Sequence, residues 1–243
     1  MKKLLSILTL LICNLLPLGM PYAQQVKIDH VVWAVPNLDS AVNHYLNEGY
    51  TIKPGRLHSN GLLNAHIKFA NGTSVELMTV AGEPKDEEAL EYQQIINNGG
   101  GGAFLALCGI DFSELKECLN ELQYEYILAE AKLWSYISFP PNSGLEHLFF
   151  IHSENIYIDP TKITTHKNGS RHINKVFIEG TEKAIRLFDK LGLSTQRTSD
   201  GPTEFITSTG NICLLKKSTL KERPKITKVE LGGNADKPIY QLR

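Results

Sequence analysis

IDHVVWAVPNLDSAVNHYLNEGYTIKPGRLHSNGLLNAHIKFANGTSVELMTV, residues 28–80, contains one complete strand-and-helix unit. It opens on an alternating apolar segment that carries His30 and closes on another that carries Glu76, the pattern of two half-buried strands. Side chains alternate between the faces of a strand, so His30 shares a face with Val32 and Ala34, and Glu76 shares one with Ser74, Met78 and Val80. Ionisable groups on such apolar faces need a partner or a task. Between the two, Asn37 is placed to cap a helix whose apolar positions Leu38, Val42, Tyr45 and Leu46 fall on one side, and Gly49 suits its C-terminus. Residues 65–70 and 73–80 flank Asn71-Gly72, which predicts a hairpin with a type I′ turn. The local order is strand, helix, strand, strand, strand.

Working outward, 243 residues at 42% hydrophobic and 21% charged give one large or two small domains with a proper core rather than a disordered chain. The formal charge of −1 and the lack of a clustered Lys/Arg run argue against a nucleic-acid surface and favour a small-molecule partner. Residues 1–23 stand apart. Lys2-Lys3, an apolar run over 4–18 and Pro21-Tyr22-Ala23 read as a secretory signal cleaved after Ala23. The run contains Asn14 and Pro17 and falls short of the ~20 residues a permanent span requires, so the expectation is a periplasmic or secreted protein with no membrane association after cleavage. Loss of Lys2 and Lys3 takes the charge from −1 to −3. Cys108, Cys118 and Cys213 are odd in number and lack CxxC spacing, so buried thiols are expected, with a Cys108–Cys118 bridge as the alternative.

The opening pattern recurs. A strand through Cys108 precedes a helix after Asp111 with Phe112, Leu115, Leu119 and Leu122 on one side, followed by strands over 126–129, 133–139 and 146–152. A third copy begins with a strand over 172–179 and a helix carrying Ile185, Phe188 and Leu191, then short strands near 203–207 and 212–216, and 226–231 adds a last strand. A helix through Leu90, Tyr92, Ile95 and Ile96 stops at the glycines of 99–102, which read as a linker because no Lys-Ser/Thr follows them. The implied division is the signal over 1–23, two paired units over 24–156, and a third, partial unit with the terminal strand over 157–243.

The repeated unit, with His opening its first strand and Glu on its last, resembles the vicinal oxygen chelate superfamily of glyoxalase I, extradiol dioxygenases and bleomycin-resistance proteins. Within it the chain is most similar to the glyoxalase-like domain family. The resemblance rests on Asp29-His30-Val31-Val32 with Pro36-Asn37-Leu38, Pro54-Gly55 with His58, Gly61 and Asn64, Val75-Glu76-Leu77, Phe149-Phe150-Ile151, and His166-x-Asn168-Gly169. It implies an α+β fold of repeated βαβββ modules forming a cupped, barrel-like mixed sheet. The chain departs from the family at His152, where Glu is common, and at 129–132, where an Arg-rich turn is expected.

The resemblance implies metal ligands from the first and last strands of each module. Carried over, these are His30, Glu76 and His152, with Phe104 where a fourth ligand would stand. A set of two histidines and one carboxylate suits a divalent ion (Fe, Mn, Zn or Ni) with open positions for adjacent substrate oxygens. Glu76 is the candidate catalytic residue. His58, Asn64, His166, Phe104, Trp134, Tyr136 and Phe150 are candidates for the substrate pocket, while His44, His66 and His147 read as structural or surface. The expected function is a metal-dependent lyase, isomerase or dioxygenase acting on a small oxygenated substrate. The contrasting expectation is a non-catalytic binding protein using the same cup. Units one and two should pair to form that cup, with the strand over 226–231 or a second chain completing the third unit, as a monomer or a homodimer.

Overall fold

The computed structural model describes residues 26–130, 134–154, 158–197, 201–216, 223–233 and 238–239. The signal segment, Cys13 and residues 131–133 lie outside these. Module one runs β1 (Lys27–Ala34), α1 (Leu38–Asn47), β2 (Lys53–Leu57), β3 (Leu62–Lys68) and β4 (Ser74–Val80). The helix α2 (Glu87–Asn97) leads to module two: β5 (Gly101–Cys108), α3 (Phe112–Glu121), β6 (Ile127–Glu130), β7 (Ser135–Ser138) and β8 (Leu148–His152). After the short α4 (Thr161–Thr164), module three comprises β9 (Ser170–Gly180), α5 (Glu182–Lys190), β10 (Ser194–Arg197), β11 (Thr203–Ile206) and β12 (Asn211–Lys216). The strands β13 (Ile226–Gly233) and β14 (Pro238–Ile239) follow. Three βαβββ modules are therefore present, and β10 is the strand that alternation in the sequence did not show.

Each module has the same internal order. The last strand lies parallel to the first, β4 on β1, β8 on β5 and β12 on β9, and the two middle strands continue outward in antiparallel pairs. Modules one and two join through the antiparallel pair β1–β5, which gives the run β6-β7-β8-β5-β1-β4-β3-β2. Module three meets β13 in the equivalent way, antiparallel to β9. The two halves meet where Ile226 pairs with Gly102. A Cβ on Gly102 would stand 2.4 Å from the Ile226 Cβ, so Gly102, inside β5, belongs to the seam between halves, while Gly99 and Gly100 connect α2 to β5.

Local chemistry explains the elements. Asn37, Asp86, Asp111 and Thr181 each accept a backbone N–H of the first turn they cap, at 2.8, 2.8, 2.7 and 3.2 Å. α1 buries Leu38, Ala41 and Tyr45, while Leu46 points outward. The β3–β4 loop differs from the type I′ expectation. Only Gly72 takes a positive φ, +89°, and its N–H donates to the Phe69 carbonyl at 3.1 Å, so the connection is a three-residue loop whose glycine absorbs the left-handed step. Cys108, Cys118 and Cys213 are all free thiols.

Alternation separates two apolar layers. Val31, Trp33 and Val35 face the main core with α1, α3 and α5, whereas Val32, Ala34 and Met78 face a smaller cluster capped by Ala89 and Tyr92 of α2. The second layer is the face of modules one and two on which the resemblance places the cup, and α2 packs against it.

Candidate functional site

Register assembles the cup from side to side. Residues paired across neighbouring strands share a face, so one row runs Ile127, Ser138, Phe149, Ala106, His30, Ser74, Lys68. The next row runs Phe104, Val32, Glu76, His66, Lys53. His30 and Glu76 thus occupy adjacent rows on adjacent strands, and His30 Nε2 lies 3.3 Å from Glu76 Oε2. The other oxygen of Glu76 accepts a hydrogen bond from Asn64 Nδ2 at 2.5 Å, and Asn64 Oδ1 in turn accepts the Arg56 N–H at 2.8 Å. On the far side of the imidazole, His30 Nδ1 sits 2.6 Å from Asp29 Oδ1. A shift of register between Ile28 and His30 accompanies this, consistent with a bulge turning Asp29 toward the histidine beside it.

The electrostatics follow from these contacts. Burial alone would lower the His30 pKa, but the hydrogen bond and charge of Asp29, helped by Glu76, outweigh it and the pKa is raised. Burial alone would raise Asp29, and its bond and attraction to His30 instead hold it low. The result favours an imidazolium between two carboxylates. His66 behaves oppositely: burial depresses it to about 4 against the pull of Glu76, and its Nδ1 is buried without a hydrogen-bond partner. A neutral imidazole therefore faces Glu76 from β3.

Of the residues anticipated from sequence, His30, Glu76 and Asn64 converge, and Phe104 and Tyr136 join them as an aromatic wall. Phe149 carries that wall to the site, its ring centroid 5.5 Å from His30, 6.3 Å from Phe104 and 6.1 Å from Tyr136. Phe150 is fully buried on the opposite face, against Phe139 in the main core. His152 lies two residues further on that same face, exposed at the strand end with its ring 5.6 Å from Phe112, and does not meet His30 and Glu76. His166 is a packing residue: its ring accepts the Thr51 N–H at 3.0 Å, lies 3.0 Å from the Lys68 carbonyl, and sits between Tyr50 and Phe69. His58 stays in the β2–β3 loop, and Trp134 is exposed just before β7.

The divalent ion implied by the superfamily needs at least three protein donors. His30 Nε2 and Glu76 Oε2 offer two, and among the described residues no group of three His, Cys, Asp or Glu side chains comes together to hold an ion. Module two presents Phe104 and Phe149 to the cup where further ligands were sought. The described donor set does not fit the three-ligand site.

Sequence reading missed two members of the cluster, Asp29 and His66. His66 carried a signal, since it stands two residues from Asn64 on one strand face. Asp29 did not, because the register shift that accompanies its contact with His30 leaves no trace in the alternation.

With the geometry in place, comparison with known proteins adds the relationship. A family model described as a glyoxalase-like domain matches residues 28–192. The chain belongs to the glyoxalase-like domain family. No curated protein matches its sequence. Among solved structures, a hypothetical protein from Staphylococcus aureus is similar over 84% of this glyoxalase-like chain and 90% of its own, at 16% identity and a TM-score of 0.61. A xylose isomerase-like TIM barrel/4-hydroxyphenylpyruvate dioxygenase fusion protein is similar over 84% of this chain and 36% of its own, at 10% identity and a TM-score of 0.58. A methylmalonyl-CoA epimerase from Streptomyces coelicolor covers 53% of this chain and 98% of its own, at 15% identity and a TM-score of 0.41. The first two show a shared fold over most of the glyoxalase-like chain.

Proposed function

We propose that the cup of modules one and two is an enzyme active site that moves a proton on a small oxygenated substrate. The observation that carries this reading is the Glu76 carboxylate held between His30 Nε2 and Asn64 Nδ2 on the cup face. Glu76 is the general base, taking a proton from the carbon next to a substrate carbonyl. His30, kept protonated by Asp29, shifts its Nε2–H from Glu76 to the substrate oxygen on which negative charge develops, and Asn64 orients the base. The chemistry is assigned to these protein groups because the described donor set does not complete a metal site. Return of the proton gives an isomerase outcome, whereas a lyase outcome follows when the bond to a leaving group on the adjacent carbon breaks and that group departs with the electron pair. The reading of residues 1–23 supports export, so the mature enzyme would work in the periplasm or outside the cell.

The test is deuterium exchange at the activated carbon of small α-hydroxyketones in D2O, followed by proton NMR. Exchange by the wild-type protein that drops at least about 100-fold in Glu76→Gln supports the proposal, on the usual scale of a lost general base. Exchange unaffected by that change would overturn it. The aromatic wall of Phe104, Phe149 and Tyr136 supports the second reading, a binding protein using the same cup without turnover, whose signature is ligand uptake with no exchange.

A further inference from the structure

The row through His30 does not end at Phe149. It continues to Ser138 and Ile127, and β6 is an edge strand whose residues all face solvent to a large degree. Ile127 is 50% exposed. One row over, Tyr136 pairs with Ala129, and Trp134, next to the start of β7, is 39% exposed. The polar cluster is thus continued in one direction only, by an apolar strip of Phe149, Tyr136, Trp134 and Ile127 running out to the rim. Single exposed apolar residues are ordinary, but a contiguous strip that starts at a polar site and points away from it is the form of a ligand wall.

Charge selects what can lie there. The groups acting on the Tyr136 hydroxyl are the carboxylates of Glu76, Glu88 and Asp29, opposed by Arg56. His30 is already engaged by two of these carboxylates and Lys53 is tied to Asp159 at 2.6 Å, while Lys68, beside Ser74 two strands from His30, offsets part of the negative charge on Asp29. An anionic head group placed at the polar cluster would face Glu76 directly.

Resting on the proton-transfer reading above, we infer that the substrate is an uncharged amphipathic molecule: an aryl or similarly flat apolar body along Phe149, Tyr136, Trp134 and Ile127, with a neutral hydroxy-carbonyl head at His30, Asn64 and Glu76. The body supplies affinity and the head supplies orientation. A carboxylate or phosphate in place of the head would stand against the Glu76 carboxylate and bind more weakly.

The experiment uses the mature protein and two probes of one size, phenacyl alcohol (an uncharged aryl α-hydroxyketone) and mandelate (its anionic counterpart), with binding measured by calorimetry. Saturable binding of phenacyl alcohol, with mandelate at least about 10-fold weaker, and about 5-fold losses in Trp134→Ala and Ile127→Ser, is the expected result. Thermal unfolding of both variants should match wild type, since each side chain is already substantially exposed. Mandelate binding as tightly as the ketone, unchanged affinity in both rim variants, or no saturable uptake of phenacyl alcohol each overturns the inference. The site reading fails separately, if Glu76→Gln leaves proton exchange unaffected on the hydroxyketones tested above.

Discussion

His66 and Glu76 stand directly opposite each other on β3 and β4, a neutral imidazole facing a carboxylate that a second histidine, His30, reaches from β1. Two histidines around one carboxylate therefore titrate in opposite senses, one raised and one lowered. His66 is the one whose burial leaves it without a hydrogen-bond partner at Nδ1.

Acid stability should report His66. Its folded pKa is about 4, below the ordinary 6.5, so between those values the unfolded chain binds more protons and stability falls as pH drops through that window. A folded pKa lying one pH unit below the unfolded one corresponds to about 1.4 kcal/mol. His66→Gln should flatten the urea-unfolding stability profile between pH 6.5 and 4; an unchanged slope would show that another group carries it.

Glu76→Gln keeps the side chain's size and removes the charge next to His30. The His30 pKa should fall, seen as an earlier loss of the imidazolium in a histidine NMR titration, with a stability loss on the order of 1 to 3 kcal/mol. His30 has the reverse linkage to His66. Its raised pKa stabilises the fold below 6.5, and that contribution fades as pH climbs through the folded value, so the variant's deficit should shrink at high pH. Because the donor set is incomplete, a chelator should leave the melting temperature of both proteins where it was. A chelator shift in wild type alone would restore Glu76 as a metal ligand.

His152→Ala should leave the His30 titration and any proton exchange at wild-type values, since its ring packs on Phe112 across the sheet from the cup. A drop in exchange of more than about 10-fold would place His152 in the site after all.

Gly102→Ala should cost about 1 to 3 kcal/mol through overpacking against Ile226, whose Cβ and carbonyl oxygen lie 2.4 Å from the added atom. Denaturant unfolding measures it, and a cost under about 0.5 kcal/mol would mean that the seam gives way easily.

The modular order was legible because it is written in repeats: three times an apolar strand is followed by a capped helix, and Asn37, Asp111 and Thr181 each carry a side-chain cap at a helix start. Half of the site was legible too, since His30, Asn64 and Glu76 sit on strands whose two faces differ in polarity. The error at His152 has a physical origin. Leu148-Phe149-Phe150-Ile151 is apolar on both faces because the strand is covered by the cup wall on one side and the core on the other, so alternation cannot say which face the following histidine takes. The β3–β4 loop was misread because Asn71-Gly72 suits a two-residue turn, yet the chain uses Ala70 as well and needs left-handed backbone only at Gly72.

The pairing of β9 with β13 sets a condition on assembly. β1 finds its central partner in β5, which follows the rest of module one, and β9 finds its own in β13, which follows the rest of module three and comes late in the chain. During synthesis β13 emerges late, and until it does β9 keeps an unpaired edge and the start of β5 lacks its neighbour. The first cup can therefore ripen before its neighbour, and any agent that competes for a bare strand edge has its opening in that interval.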